Sequence, residues 1–378
     1  MAQRQRAAAV PPVLLSRQAL ADAGVEFPPG ATGPSTIPLT PGGSTYTMAQ
    51  AAQFVDGDHF AIGRWDGSLG VFTYEASATQ GPLISAAAAN PESEGVQMIT
   101  VIGQGLLVTS GTDSAMTLWK ADGGWDQMSP VTQIAYDGAF GAANCGAVVS
   151  VGGGSRLVVG HANGYLTAWT LSGLEQCMEA DLRHEPPLNP YGLVNIRSVQ
   201  YVAGADDGEA VVATGGEDGY ICLVKVPTGT ILGAAPYNPR AQRGINSIAV
   251  DGTSLLVANC SVGSADSNLW LFEIDADTGS ITYQDNTNLK VDPARPQVFN
   301  FATVFSDAAS GTWLASTEEG VVWMGSVVSG QLHGWGYTTL ASPPLGSAIA
   351  VSPGGQVVVA NYDLFEFTDV PTSAPQPG

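Results

Sequence analysis

Apolar residues along this chain fall into short runs separated by turns of small and polar residues, and the run-turn-run unit recurs. Leu106 to Trp119, LLVTSGTDSAMTLW, shows it well: an apolar run closes on small residues, a Thr-Asp-Ser turn follows, and a second apolar run ends in an aromatic residue. That pattern predicts a β-hairpin. Arg156 to Trp169 and Val211 to Val224 have the same shape, with looser copies at His59 to Phe72 and Trp313 to Met324. A hairpin repeating every ~45 to 55 residues predicts a propeller or solenoid built from like units.

Each unit reads as an inner strand, the hairpin pair and an outer strand. Inner strands are expected at Met48 to Val55, Met98 to Ile102, Ala147 to Val151, Ser198 to Val202, Ser247 to Val250, Phe301 to Phe305 and Ala348 to Val351, which makes seven units. Four short strands per unit predict an all-β, seven-bladed β-propeller over residues 34–370. The last unit lacks an outer strand, because PTSAPQPG from Pro371 to Gly378 is a Pro-rich tail that pairs poorly. Thr36 to Thr40, TIPLT, has no blade of its own and is expected to pair onto the last one, closing the ring and removing an unpaired edge. Residues 1–33 form an extension. Apolar positions at helical spacing over Val13 to Ala23, after Pro12 and before Gly24, predict a short amphipathic helix there.

Composition narrows the class. The chain has 378 residues, 44% of them hydrophobic but only 12% charged, against a usual ~25%. A surface poor in charge is the kind that an assembly covers. The net charge of −21 argues against nucleic-acid binding by the fold as a whole, which needs clustered Lys and Arg. No apolar run is long enough to span a membrane. Cys145, Cys177, Cys222 and Cys260 lack paired spacing, so buried thiols are expected and neither a zinc site nor a disulfide framework. Pro11 and Pro12 interrupt the N-terminal apolar residues, and an intracellular, cytoplasmic location is expected.

No catalytic, metal or cofactor constellation emerges. His59, His161, His184 and His333 fall in different units without ligand spacing. Asp275 and Asp277 before Gly279 read as a hairpin turn, and Gly152-Gly153-Gly154 has no helix behind it to form an anion site.

The units resemble those of WD-repeat β-propeller proteins. The resemblance rests on Ser110-Gly111-Thr112-Asp113 leading to Trp119, Asn163-Gly164 leading to Trp169, and Glu217-Asp218-Gly219 leading to Val224. Trp119 is followed by Lys120 where that family has Asp, and Asp275 to Gly279 also resembles the turns of quinoprotein-type propellers.

Two patterns nominate a binding face. Polar residues open many inner strands, among them Gln50, Gln97, Arg197, Asn246, Asn300 and Ser347, and would ring one mouth of the central channel. Arg183, Arg197, Arg240, Arg243, Lys290 and Arg295 cluster in the long connections reaching that mouth, beside His184. In so acidic a chain they are expected either to steer an acidic partner or to pair with loop carboxylates. The function expected is a non-catalytic scaffold for protein–protein interaction, such as a structural subunit of a larger phage or bacterial particle. The alternative is a ligand-binding or enzymatic propeller acting at the channel mouth.

Overall fold

The computed structural model describes residues 13–14, 35–37, 49–74, 95–339, 348–360 and 364–367, apart from short stretches at 66, 112–113, 205–207, 239–242, 262–265, 293 and 308–310. The strands alternate between two kinds of burial, and the architecture follows from it. Second and third strands of the units, such as AVVATGG, are buried on both faces, whereas an outer strand such as MSPVTQIA buries only Met128 and Ile134. A strand covered on both faces needs a continuous apolar run, and an outer edge strand does not. The core therefore lies between facing sheets.

In chain order the strands are β1 (Val13–Leu14) and β2 (Ser35–Ile37), then β3 (Ala49–Phe54), β4 (His59–Arg64) and β5 (Leu69–Thr73). Next come β6 (Met98–Gly103), β7 (Leu106–Ser110), β8 (Ala115–Ala121) and β9 (Met128–Ala135), followed by β10 (Ala143–Val151), β11 (Gly154–His161), β12 (Tyr165–Thr170) and β13 (Gln176–Asp181). The following unit holds β14 (Ile196–Gly204), β15 (Ala210–Gly216), β16 (Tyr220–Val226) and β17 (Ile231–Pro236), and the one after it β18 (Ile245–Asp251), β19 (Ser254–Asn259), β20 (Leu269–Asp275) and β21 (Ser280–Thr287). The last two comprise β22 (Asn300–Asp307), β23 (Thr312–Thr317), β24 (Val321–Val328) and β25 (Gln331–Thr339), then β26 (Ala348–Val351), β27 (Val357–Ala360) and β28 (Leu364–Phe367).

Each unit is an antiparallel meander, and inner strands β3, β6, β10, β14, β18, β22 and β26 pack on one another in that order, with β26 returning to β3. The ring is joined at β2, which runs antiparallel to β28 with Thr36 opposite Phe365. Between the sheets of β10 and β14 the core contains Val149, Val158, Leu166, Val212 and Val224. Between those of β14 and β18 it contains Leu223, Ile248, Val257 and Phe272.

Two expectations about the fold are corrected. The seven full blades are not found: six sheets carry four strands or more, and the unit at β3–β5 is a three-stranded sheet. The four-strand scheme asks for its outer strand within residues 75–94, which lie outside those described and are rich in Ala, Ser and Pro, not β-branched residues. Among the described residues the propeller thus has six complete blades. The N-terminal helix is also overturned, because Val13–Leu14 is a strand pairing parallel with β25, Val13 opposite Trp335. A segment this short nucleates a helix poorly, while an outer sheet edge offers ready backbone partners. Residues 15–23, the linker before β2 and the Pro-rich tail lie outside the described residues. No α-helix occurs among the described residues, only 3₁₀ turns at Trp125–Gln127 and Gly138–Phe140. Correspondingly, no described helix is long and apolar enough to cross a membrane, which says nothing of spans made from strands.

Thiol burial is mixed. Cys222 and Cys260 are buried and burial pushes both thiols up to about 12, whereas Cys145 is half-buried and Cys177, on outer strand β13, is exposed, contrary to expectation.

Candidate functional site

The links from one outer strand to the next inner strand emerge at the same end of the ring as the β15–β16 turn, because inner strands begin there and second strands end there. Three of these links, β13–β14, β17–β18 and β21–β22, meet around Arg243.

The β13–β14 link is shaped by one amide. Asn189 Oδ1 accepts from the backbone N–H groups of Tyr191 and Leu193 at 2.9 and 3.1 Å, and its Nδ2 donates to the carbonyls of Leu193 and Glu217, both at 2.6 Å. Asn189 is itself buried. Asn-Pro followed by Gly192 at φ 70° supplies the turn. With the backbone satisfied internally, the side chains point outward: Tyr191 is 61% and Leu193 44% exposed. Replacing Asn189 with Ala would leave those backbone groups unpaired, and a loss of about 2 kcal/mol is expected, together with faster amide hydrogen exchange at Tyr191 and Leu193.

Arg243 is positioned from the core outward. Trp270 Nε1 donates to Asn259 Oδ1 at 3.0 Å, Asn259 Nδ2 to the Tyr237 hydroxyl at 3.1 Å, and that hydroxyl to the Arg243 carbonyl at 3.0 Å. Burial pushes the Tyr237 phenol pKa up, so it stays a donor. The Arg243 guanidinium lies over the Tyr191 ring at 5.2 Å, donating to the Tyr191 hydroxyl at 2.9 Å and to Gln297 Oε1 at 3.2 Å. Gly244 follows because a Cβ there would overlap the Glu217 backbone. The resulting cleft has a volume of about 260 Å³ and is walled by Tyr191, Leu193, Glu217, Arg243, Asn246 and Phe299, among others.

Arg197 Nε pairs with Glu217 Oε1 at 3.3 Å. Arg183 Nε is 2.8 Å from Asp181 Oδ1, with the guanidinium 4.9 Å over Tyr165. That hydrogen bond holds the Asp181 carboxyl below the usual range. His184 Nδ1 is 3.0 Å from Asp218 Oδ2 and its ring stacks on Tyr220 at 3.8 Å. Arg295 pairs with Glu318 at 3.1 Å and sits 3.9 Å from Glu319. Lys290 is buried, donates to the Arg295 carbonyl at 3.2 Å, and has its ammonium pKa lowered by desolvation against the pull of Asp266 and Glu319.

Asn246 Nδ2 donates to the Asn300 carbonyl at 2.9 Å, while Asn300 is fully buried and donates to the Asn268 carbonyl at 3.1 Å. Gln97 belongs to the β6 unit, which does not adjoin the β14 unit in the ring. Arg240 lies outside the described residues. Arg243 and Asn246 are thus brought to one cleft, and most other described cations of this face are joined to nearby carboxylates. Leu193, Gln297 and Phe299 were not foreseen; Asn189-Pro190 with Gly192 was the available signal for the ordered turn that presents Tyr191 and Leu193.

This ring of meanders with an organised loop face defines a β-propeller. No family model matches the chain, and no curated protein matches it in sequence. In three dimensions it is similar to the WD40 β-propeller domain of Doa1, with a TM-score of 0.62 at 12% identity over 89% of this chain and 96% of that one. It is also similar to the computationally designed Ika8 protein, with a TM-score of 0.54 at 14% identity over 84% and 83% of the two chains. At these identities the likeness is one of fold.

Proposed function

We propose that this chain is a non-catalytic scaffold that binds a protein partner through the loop face around Tyr191, Leu193 and Arg243. The observation that carries the reading is a pair of exposed apolar side chains on a turn locked by buried Asn189, with a stacked Arg beside them. Tyr and Arg are enriched among residues that dominate interface energetics, and a pre-ordered loop loses little entropy on binding. The polar groups around the cleft mostly hold one another, as in Arg197–Glu217 and Asn246–Asn300, which suits recognition better than chemistry. The low charged fraction supports a place in a larger assembly, phage or bacterial structural particles being the version expected from sequence, and free Cys177 supports an intracellular one.

The test compares affinity capture from native extracts by the wild-type chain, by Leu193→Asp with Tyr191→Ala, and by Val131→Asp on the outer edge of β9. Loss of the same stoichiometric companion from the loop-face variant alone is the expected result. A companion lost only from the β9 variant, or retained by all three, overturns the choice of face.

A further inference from the structure

Arg243 differs from its neighbours in what it touches. Arg183, Arg197 and Arg295 on this face each reach a carboxylate, as do Lys120 and Lys225 elsewhere. Among the described residues no carboxylate lies within ion-pair distance of Arg243; its guanidinium donates to a phenol and an amide oxygen, both neutral. Glu217, on the same cleft, is taken up by Arg197 and the Asn195 amide. Among the described residues this half-buried guanidinium has no counter-charge within ion-pair distance, in a chain of net charge −21. Its planar donors suit a carboxylate, and partial burial strengthens such a bond. Next to it, exposed Leu193 and half-buried Phe299 offer apolar surface.

We infer that the cleft receives an Asp or Glu side chain from an extended segment of a partner protein, its carboxylate on Arg243 and an adjoining apolar side chain on Leu193 and Phe299. This rests on the reading of the loop face as a protein-binding surface and adds the chemistry of what it recognises. Buried hydrogen-bonded charge pairs carry much of the discrimination at interfaces, and removing one member costs ~30-fold or more in affinity.

The experiment selects phage-displayed random dodecapeptides on the immobilised full chain, then measures amidated synthetic versions by calorimetry. The selected peptides are expected to share an Asp or Glu beside an aromatic or aliphatic residue. Changing that acid to its amide should weaken binding to the wild-type chain about 30-fold or more, while Arg243→Met should bind acid and amide forms alike. The acid-to-amide comparison needs no altered protein, so a poorly folded Arg243 variant does not blunt it. Peptides indifferent to the acid but lost on Leu193→Asp overturn the carboxylate and leave the loop face standing. Peptides that survive both Leu193→Asp and Arg243→Met overturn both. Selection of no peptide overturns the carboxylate inference, and the capture comparison above then decides the face.

Discussion

Lowering the pH from 7.5 to 5 is expected to cost the wild-type protein about 2 kcal/mol of stability that a His161→Gln variant does not lose. His161 ends β11, is fully buried, and lies 5.0 Å from the Tyr136 ring and 5.4 Å from that of Phe140. Its Nε2 is 2.9 Å from Thr167 Oγ1, which also accepts from Trp169 Nε1 at 2.9 Å, and its Nδ1 is 3.4 Å from the Gly141 carbonyl. A carbonyl can only accept, so Nδ1 carries the proton and Nε2 accepts from the Thr167 hydroxyl. The neutral ring therefore satisfies each of these contacts. A second proton on Nε2 would face a hydroxyl already oriented to donate, and burial would leave the charge unsolvated. Burial accordingly pushes the imidazole down from 6.5 to about 4.

The direction follows from which state binds the proton. Above about 6.5 neither the folded nor the unfolded chain protonates this histidine, and its full contribution to stability is present. Between 6.5 and about 4 the unfolded chain takes up the proton and the folded chain does not, so stability falls as the pH falls. Asp181, held low by Arg183, titrates below this window. Urea midpoints measured at intervals between pH 5 and 7.5 for the wild type and His161→Gln check it. The difference in slope is the readout, and parallel slopes would show that His161 charges as easily inside the protein as outside.

Hairpins β7–β8, β11–β12 and β15–β16 were legible because both of their faces are buried between neighbouring sheets, which forces long apolar runs onto them. Outer strands bury one face at most and carry a fainter pattern, as β9 does with Met128 and Ile134. Val13 to Ala23 predicts a helix because helical spacing is a local signal, whereas β25, with which Val13–Leu14 pairs, lies more than three hundred residues away in sequence. Site residues divide in the same way. Arg243 and Asn246 could be nominated from their position in loops before inner strands. The carboxylates that occupy Arg197 and Arg295 come from other segments, Glu217 and Glu318, so the chain alone left open which cations were spoken for. Asn300 looked like a mouth residue and is instead a buried tie to Asn268.

The largest loss is expected in the core between the β18 and β22 units, where Trp313 of β23 lies directly across from Gly325 of β24. Trp313 is fully buried, and the space for its indole exists because the opposite residue has no side chain: a Cβ on Gly325 would overlap the ring and also the His333 carbonyl. Trp313→Ala should cost about 3–5 kcal/mol through lost burial and the cavity left behind. Gly325→Ala should cost about 1–3 kcal/mol through overpacking. The informative measurement is the double variant. With the indole gone, the methyl of Gly325→Ala still meets the His333 carbonyl but no longer the ring, so its penalty should shrink without vanishing, giving a coupling of about 1 kcal/mol or more in a cycle of urea unfolding energies. Strictly additive losses would mean that the glycine is required by the β25 backbone and not by the tryptophan. Gly325 falls one residue beyond the Trp313 to Met324 hairpin copy, so the apolar pattern alone gave no sign that this position makes room for the Trp313 ring.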